Sequence, residues 1–149
     1  MESTLATSHD AELILRLYDL RREAVMRKAR HWIAVDFNPQ TIDEMCAPLF
    51  AWGTEQNEWF RQVTSYWEMA AAFVLHGALN GDLFLDCNGE PFHLYAKFRP
   101  FLAEMRQQYP KFLMQIEQVI EQYPAAQQRV EFITRALEQR RAAAAKAKS

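Results

Sequence analysis

From Trp59 to Val74 the chain places Trp59, Phe60, Val63, Tyr66, Trp67, Ala70, Phe73 and Val74 at helical spacing. At about 100° per residue these side chains cover more than half of a helix circumference. A helix that apolar has no stable place on a surface, so it must lie at the centre of a bundle and be touched from several sides. Thr54 stands where an N-cap belongs, which sets the expected span at about 55–79. Arg61, Ser65 and Glu68 are left as its polar strip. The uncharged stretch Met69–Gly81 is 13 residues long and includes His76 and Asn80. A bilayer span takes roughly 20 apolar residues, so the stretch reads as a buried helix end and no membrane is expected.

The segments around this centre also read as helices. Thr7 and Asp10 have capping-box spacing before the apolar run Leu13, Leu17, Leu20, Ala24, His31 and Val35. No Gly or Pro follows until Pro39, and the expectation is one long helix over about 9–36. Thr41 and Glu44 open a short helix that stops near Pro48 or Gly53. Asn80–Gly81 and Asn88–Gly89 are turn signals, with room between them for little beyond a single turn. Leu94, Phe98, Phe101, Leu102 and Met105 keep one register across Pro100, favouring a kinked continuous helix over 90–108 above two separate helices. Tyr109–Pro110 and Tyr123–Pro124 place Pro at the first position of helices over about 110–122 and 124–145. Six helices and no strand alternation predict an all-α bundle. The folded domain is expected over 1–139, followed by a basic, alanine-rich tail over 140–149 that frays.

Composition narrows the class. The chain has 149 residues, 13% of them aromatic and 24% charged, which excludes a disordered or low-complexity polymer. Cys46 and Cys87 form no CxxC pair, and residues 1–8 carry no export signal, so the expected setting is a reducing cytoplasm. Phosphate-cradling glycine motifs and nucleophile elbows are absent, and no cofactor is expected. Glu90-x-x-His93 is the one metal-like spacing. A carboxylate-bridged site needs two such motifs and further acids, so no metal is expected and Glu90 and His93 are weak candidates.

Charge is unevenly distributed. Residues 1–35 sum to +1, residues 36–96 to −8 and residues 97–149 to +5. Basic residues crowd Arg21–Arg30 and the last fifteen positions, but those on the first helix scatter around its wheel, and a pI near 6.1 makes nucleic-acid binding an unfavoured reading. On a continuous 9–36 helix, Arg21 and Lys28 fall inside the apolar arc, with His31 at its edge. A cation turned toward a core needs an acid. Glu68 on the central helix is the first choice, with Glu58 or Glu90 behind it. Arg21, Lys28, His31 and Glu68 are therefore the candidate buried ion pair or polar pocket.

The stretches Leu17–Trp32 (LYDLRREAVMRKARHW), Tyr66–Val74 (YWEMAAAFV) and Gly89–Leu102 (GEPFHLYAKFRPFL) resemble an uncharacterised bacterial family of small all-helical proteins. The resemblance spans about residues 13–105. It implies a bacterial, soluble, helical protein and transfers no catalytic residue. The leading functional expectation is a non-enzymatic interaction or regulatory module that contacts a protein partner or itself as a homodimer. The rivals are a small-ligand bundle with a polar pocket between the first and third helices, and a nucleic-acid accessory protein using the tail.

Overall fold

In the computed structural model, which describes residues 5–148, the elements are α1 (Ser8–Arg21), α2 (Ala24–His31), α3 (Ile42–Phe50), α4 (Glu55–Leu75), α5 (Gly81–Cys87), α6 (Glu90–Phe98), α7 (Leu102–Gln108), α8 (Met114–Gln122) and α9 (Pro124–Ala147). A π-turn over Trp32–Asp36 follows α2, and a 3-10 turn over Arg99–Phe101 joins α6 to α7. No strand occurs among the described residues, and the all-α class holds. Among the described residues no helix is long and apolar enough to cross a membrane.

The apolar centrepiece is α4. It buries Phe60, Val63, Trp67, Ala70, Ala71 and Val74 and packs against α2, α3, α5 and α8. Thr54 caps it by accepting from the Asn57 amide at 3.2 Å. The helix stops at Leu75, four residues before the expected end, because Gly77 turns the chain at φ +76°. Aromatic rings fill the space around it: Phe60 meets Phe37, Phe98 and Phe112, while Trp67 meets Phe84, which in turn meets Phe92. The α9 helix covers α6 and α8 with Ala126 and Val130 buried, and its side chains beyond Leu137 are exposed.

Three departures account for nine helical segments among the described residues where six helices were expected. The long 9–36 helix is divided. Glu23 leaves helical geometry at ψ 145°, and its carboxylate caps α2 by accepting from the Val25 and Met26 amides at 3.1 and 3.0 Å. Residues 81–87 form two turns of helix because Asn80 supplies a cap to the Leu83 amide at 2.9 Å. Around Pro100 the backbone stays helical but tightens to 3-10, so the α hydrogen-bond ladder is interrupted between α6 and α7. A fourth difference shifts a boundary. Pro110 lies in a turn, and α8 begins at Met114, after Leu113 at φ +54°.

Gly81 is required by a close approach. A Cβ there would stand 1.9 Å from the Tyr123 hydroxyl, at the corner where α8 passes into α9.

Candidate functional site

The break at Glu23 resets the helical phase of everything after it. Within α2 and the π-turn, Met26, Ala29, Arg30 and Ile33 now form the inward face, and Lys28 points away from it. Arg30 is therefore the cation that enters. Its Nε lies 3.0 and 2.9 Å from the two Glu90 carboxylate oxygens, and Nη2 donates to Oε2 at 2.7 Å. Glu90 opens α6 and also accepts from Trp67 Nε1 at 3.1 Å. The third arm of Arg30, Nη1, reaches the Arg21 carbonyl at 3.3 Å. Bidentate geometry fixes both direction and distance, and the bond to Glu90 holds the guanidinium pKa above its ordinary value.

Arg21 sits beside this pair, and among the described residues no acid is ion-paired with it. Its guanidinium lies 4.8 Å from the Tyr18 ring centre and 5.9 Å from that of Trp67, and Nη1 donates to Asn88 Oδ1 at 3.3 Å. The Tyr66 hydroxyl donates to the Leu17 carbonyl, and burial pushes its pKa up to about 12. The three stretches that carry the family resemblance meet here, through Arg21 and Arg30, Tyr66 and Trp67, and Glu90.

Glu68 lies elsewhere. Its carboxylate accepts from the Ile116 amide at 2.8 Å and the Gln115 amide at 3.4 Å, capping α8 from another helix because Leu113 offers no side-chain acceptor. Burial raises its pKa, and the two amides oppose that shift. The expected partnership of Arg21 and Lys28 with Glu68 is thus replaced by Arg30 with Glu90. A groove of about 660 Å³ runs along the polar strip of α4 past Glu58, Arg61, Ser65 and Glu68 to Lys111. Both signs of charge alternate along it, and each carboxylate oxygen of Glu68 already accepts one α8 amide.

Among the described residues no group of three or more His, Cys, Asp or Glu is placed to hold a metal ion. Both Glu90 oxygens face Arg30. His93 is half-buried, and burial, Lys97 and Arg140 lower its pKa.

Lys28 and His31 do come together, on the outward side of α2. With Ala24, Arg27, Trp32, Asp36 and Trp59 they line a groove of about 460 Å³. Trp32 and Trp59 are half-buried, with ring centres 6.1 Å apart and planes tilted by 47°. Phe37 stacks beneath Trp32 at 4.7 Å and 15°. Arg27, Lys28 and His31 supply two cations and one titratable ring around these indoles, and Asp36 stands 4.0 Å from His31 Nε2. This groove lies between the segments expected as the first and third helices, and two of the four expected site residues line it. An apolar aromatic floor with basic groups at the edge can hold an anionic group while covering a flat apolar body.

Sequence reasoning missed Arg30, Trp67 and Asn88 as partners. The spacing Met26-x-x-Ala29-Arg30-x-x-Ile33 would have found Arg30 had the helix been started at Ala24. Nothing local marks Asn88 or the Trp67 indole, because their partners are distant in sequence.

No curated protein and no solved structure matches the chain. The family described as a domain of unknown function (DUF4760) matches residues 6–123. That span runs through the divided first helix, the central α4, the Arg30–Glu90 network and α8, and it ends at the residue before α9. On that match over most of its length, the chain belongs to the DUF4760 family.

Proposed function

We propose that this protein is a binding module, and that the groove beside α2 takes a small organic anion with a flat apolar body. One observation carries the reading: Arg27, Lys28 and His31 flank the paired indoles of Trp32 and Trp59 around about 460 Å³ of space. A planar ligand gains apolar contact on the indoles and charge attraction at the edge. The exposed position of Lys28 leaves its ammonium available to a ligand. The thiols of Cys46 and Cys87 form no disulfide, which supports a reducing, cytoplasmic setting.

Titration with 2-naphthoate, followed by tryptophan fluorescence and calorimetry, tests this, with neutral 2-naphthylmethanol as the uncharged control. Naphthoate is expected to bind with a Kd on the order of 10–1000 μM, within the range for a ligand of its size. Reversing two exposed charges, in Arg27→Glu/Lys28→Glu, is expected to weaken it by about tenfold. Equal affinity for the neutral control, or no response to the double reversal, overturns the reading.

A second reading, a protein-contact module that pairs with a partner or with itself, is favoured by one corner. Between α3 and α4, Phe50 and Trp52 are exposed, Trp52 at 72%, with Arg61 stacked 4.7 Å from its ring centre. Loss of a dimer on Trp52→Ala in equilibrium sedimentation would support it, and a monomer in the wild type would exclude self-association.

A further inference from the structure

The π-turn that ends the first part of the chain has an unusual hydrogen-bond ledger. In an α-helix the Phe37 amide would donate to the carbonyl four residues back, that of Ile33. It donates instead to the Trp32 carbonyl at 2.8 Å, five residues back. The Ile33 carbonyl is thereby released from the ladder while Ile33 itself stays buried at 3% exposure. Pro39 follows two residues after Phe37 and has no amide hydrogen to offer. A buried carbonyl without a donor is costly.

The donor arrives from another helix. Lys97 on α6 is 4% exposed, and its Nζ donates to the Ile33 carbonyl at 2.5 Å. The next residue, Phe98, packs its ring against Phe37 with centres 5.9 Å apart, and Phe37 is the ring on which Trp32 stacks. Two consecutive residues of α6 thus grip the turn, one through the released carbonyl and one through the aromatic ring. The turn carries Trp32 and Asp36, both of which line the α2 groove.

We infer that Lys97 is a positioning residue: its ammonium latches the π-turn through the Ile33 carbonyl and so sets where Trp32 and Asp36 stand in the groove. It does not line the groove and contacts no ligand there. The wider π-turn takes the side chains at the end of α2 out of the α-helical register. Here the redirection needs a buried donor, and an apolar side chain of similar length could fill the space without supplying one. The charged and titratable groups that face Lys97 are Asp36 on the turn, the His93 imidazole on its own helix and Arg141 on α9. The inference rests on the proposed ligand site for its consequence, and on the hydrogen bonds alone for the latch.

The experiment compares the full chain with Lys97→Met, and with Lys97→Gln, which keeps a donor. Three quantities are read: amide hydrogen exchange over residues 32–37, the indole cross-peak of Trp32, and the affinity for 2-naphthoate. In Lys97→Met the turn is expected to exchange about tenfold faster or more, as a local opening does when one holding bond is lost. The Trp32 cross-peak shifts, and naphthoate binds about three- to tenfold more weakly while the melting temperature holds or rises. Lys97→Gln restores part of the protection and part of the affinity. Unchanged exchange and an unchanged Trp32 cross-peak in Lys97→Met overturn the latch, whatever naphthoate does. A loosened turn with unaltered naphthoate affinity overturns its role in the groove. If the wild type does not bind naphthoate, the ligand reading fails separately, and the exchange and cross-peak data alone decide the latch.

Discussion

At Arg30 a guanidinium enters the protein and meets a carboxylate along one edge, through Nε and Nη2, with Glu90 itself held by the Trp67 indole. At Lys97 an ammonium enters the protein and meets one backbone carbonyl. Arg30 and Glu90 each keep about a quarter of their side-chain surface exposed, whereas Lys97 has almost none. The consequence is visible in their protonation. The partner holds the arginine pKa up. Burial, with Arg141 nearby, pushes the lysine pKa down to about 8. A paired inward cation ties two helices together, whereas an inward cation with a single neutral acceptor destabilises the fold that holds it. Such a residue is tolerated where its one bond does something an apolar side chain cannot.

The largest expected effect breaks the paired case. Glu90→Ala leaves Arg30 facing the Arg21 carbonyl and solvent, and should lower stability by about 2–3 kcal/mol in urea titrations, less than for a fully buried pair because both groups touch water. Adding Arg30→Met should recover much of that loss. If the double variant is no better than Glu90→Ala, the carboxylate acts chiefly through Trp67.

The unpaired case should respond in the opposite direction. Lys97→Met removes a buried charge and is expected to raise stability at pH 7 by about 1–2 kcal/mol. A loss of stability on that substitution would mean that the Ile33 bond outweighs the desolvation of the ammonium.

The pH dependence sharpens the contrast. Lys97 has a folded pKa near 8, below the 10.5 of a free lysine, so between those values the unfolded chain binds more protons than the folded one. Its contribution therefore makes the protein more stable as pH rises from about 8 to 10.5. The gap between Lys97→Met and wild type should narrow over that window, while the effect of Glu90→Ala should stay flat. Chemical denaturation at several pH values distinguishes the two slopes.

Glu68 gives the smallest effect and a third arrangement, a half-buried anion held by the amides at the start of α8. Its raised pKa means that its contribution to stability declines as pH rises above about 4.5. Glu68→Gln keeps an oxygen for the Ile116 amide and should change stability by less than about 1 kcal/mol. Glu68→Ala, which leaves those amides without an acceptor, should cost more than Glu68→Gln. Equal effects of the two would show that the charge, and not the cap, is what matters there.

Much of the fold was legible because it rests on local periodicity. The apolar pattern of Trp59–Val74 marked the central helix, and Thr7, Thr41 and Thr54 marked three helix starts at which each side chain accepts from the amide three residues on. The site was harder to read. The expectation that cations on the opening helix turn inward toward an acid on another element came from the sequence, but it named Arg21 and Lys28 as the cations and put Glu68 ahead of Glu58 or Glu90 as the acid. Glu23 is an uncommon cap type, and missing it carried the wrong phase through Lys28 and Arg30. The π-turn left no mark either, since no residue type in Trp32–Asp36 requires it.

The amino-acid order alone settled the all-helical class, the identity of the central helix and the need for an inward cation to be compensated, because each follows from spacing within one helix. Which cation enters, which acid meets it and which carbonyl is released for Lys97 were decided only when α6 packed against α2 and the π-turn. Those bonds link residues some 60 positions apart, and their energies depend on the distance and direction between helices, which no single segment specifies.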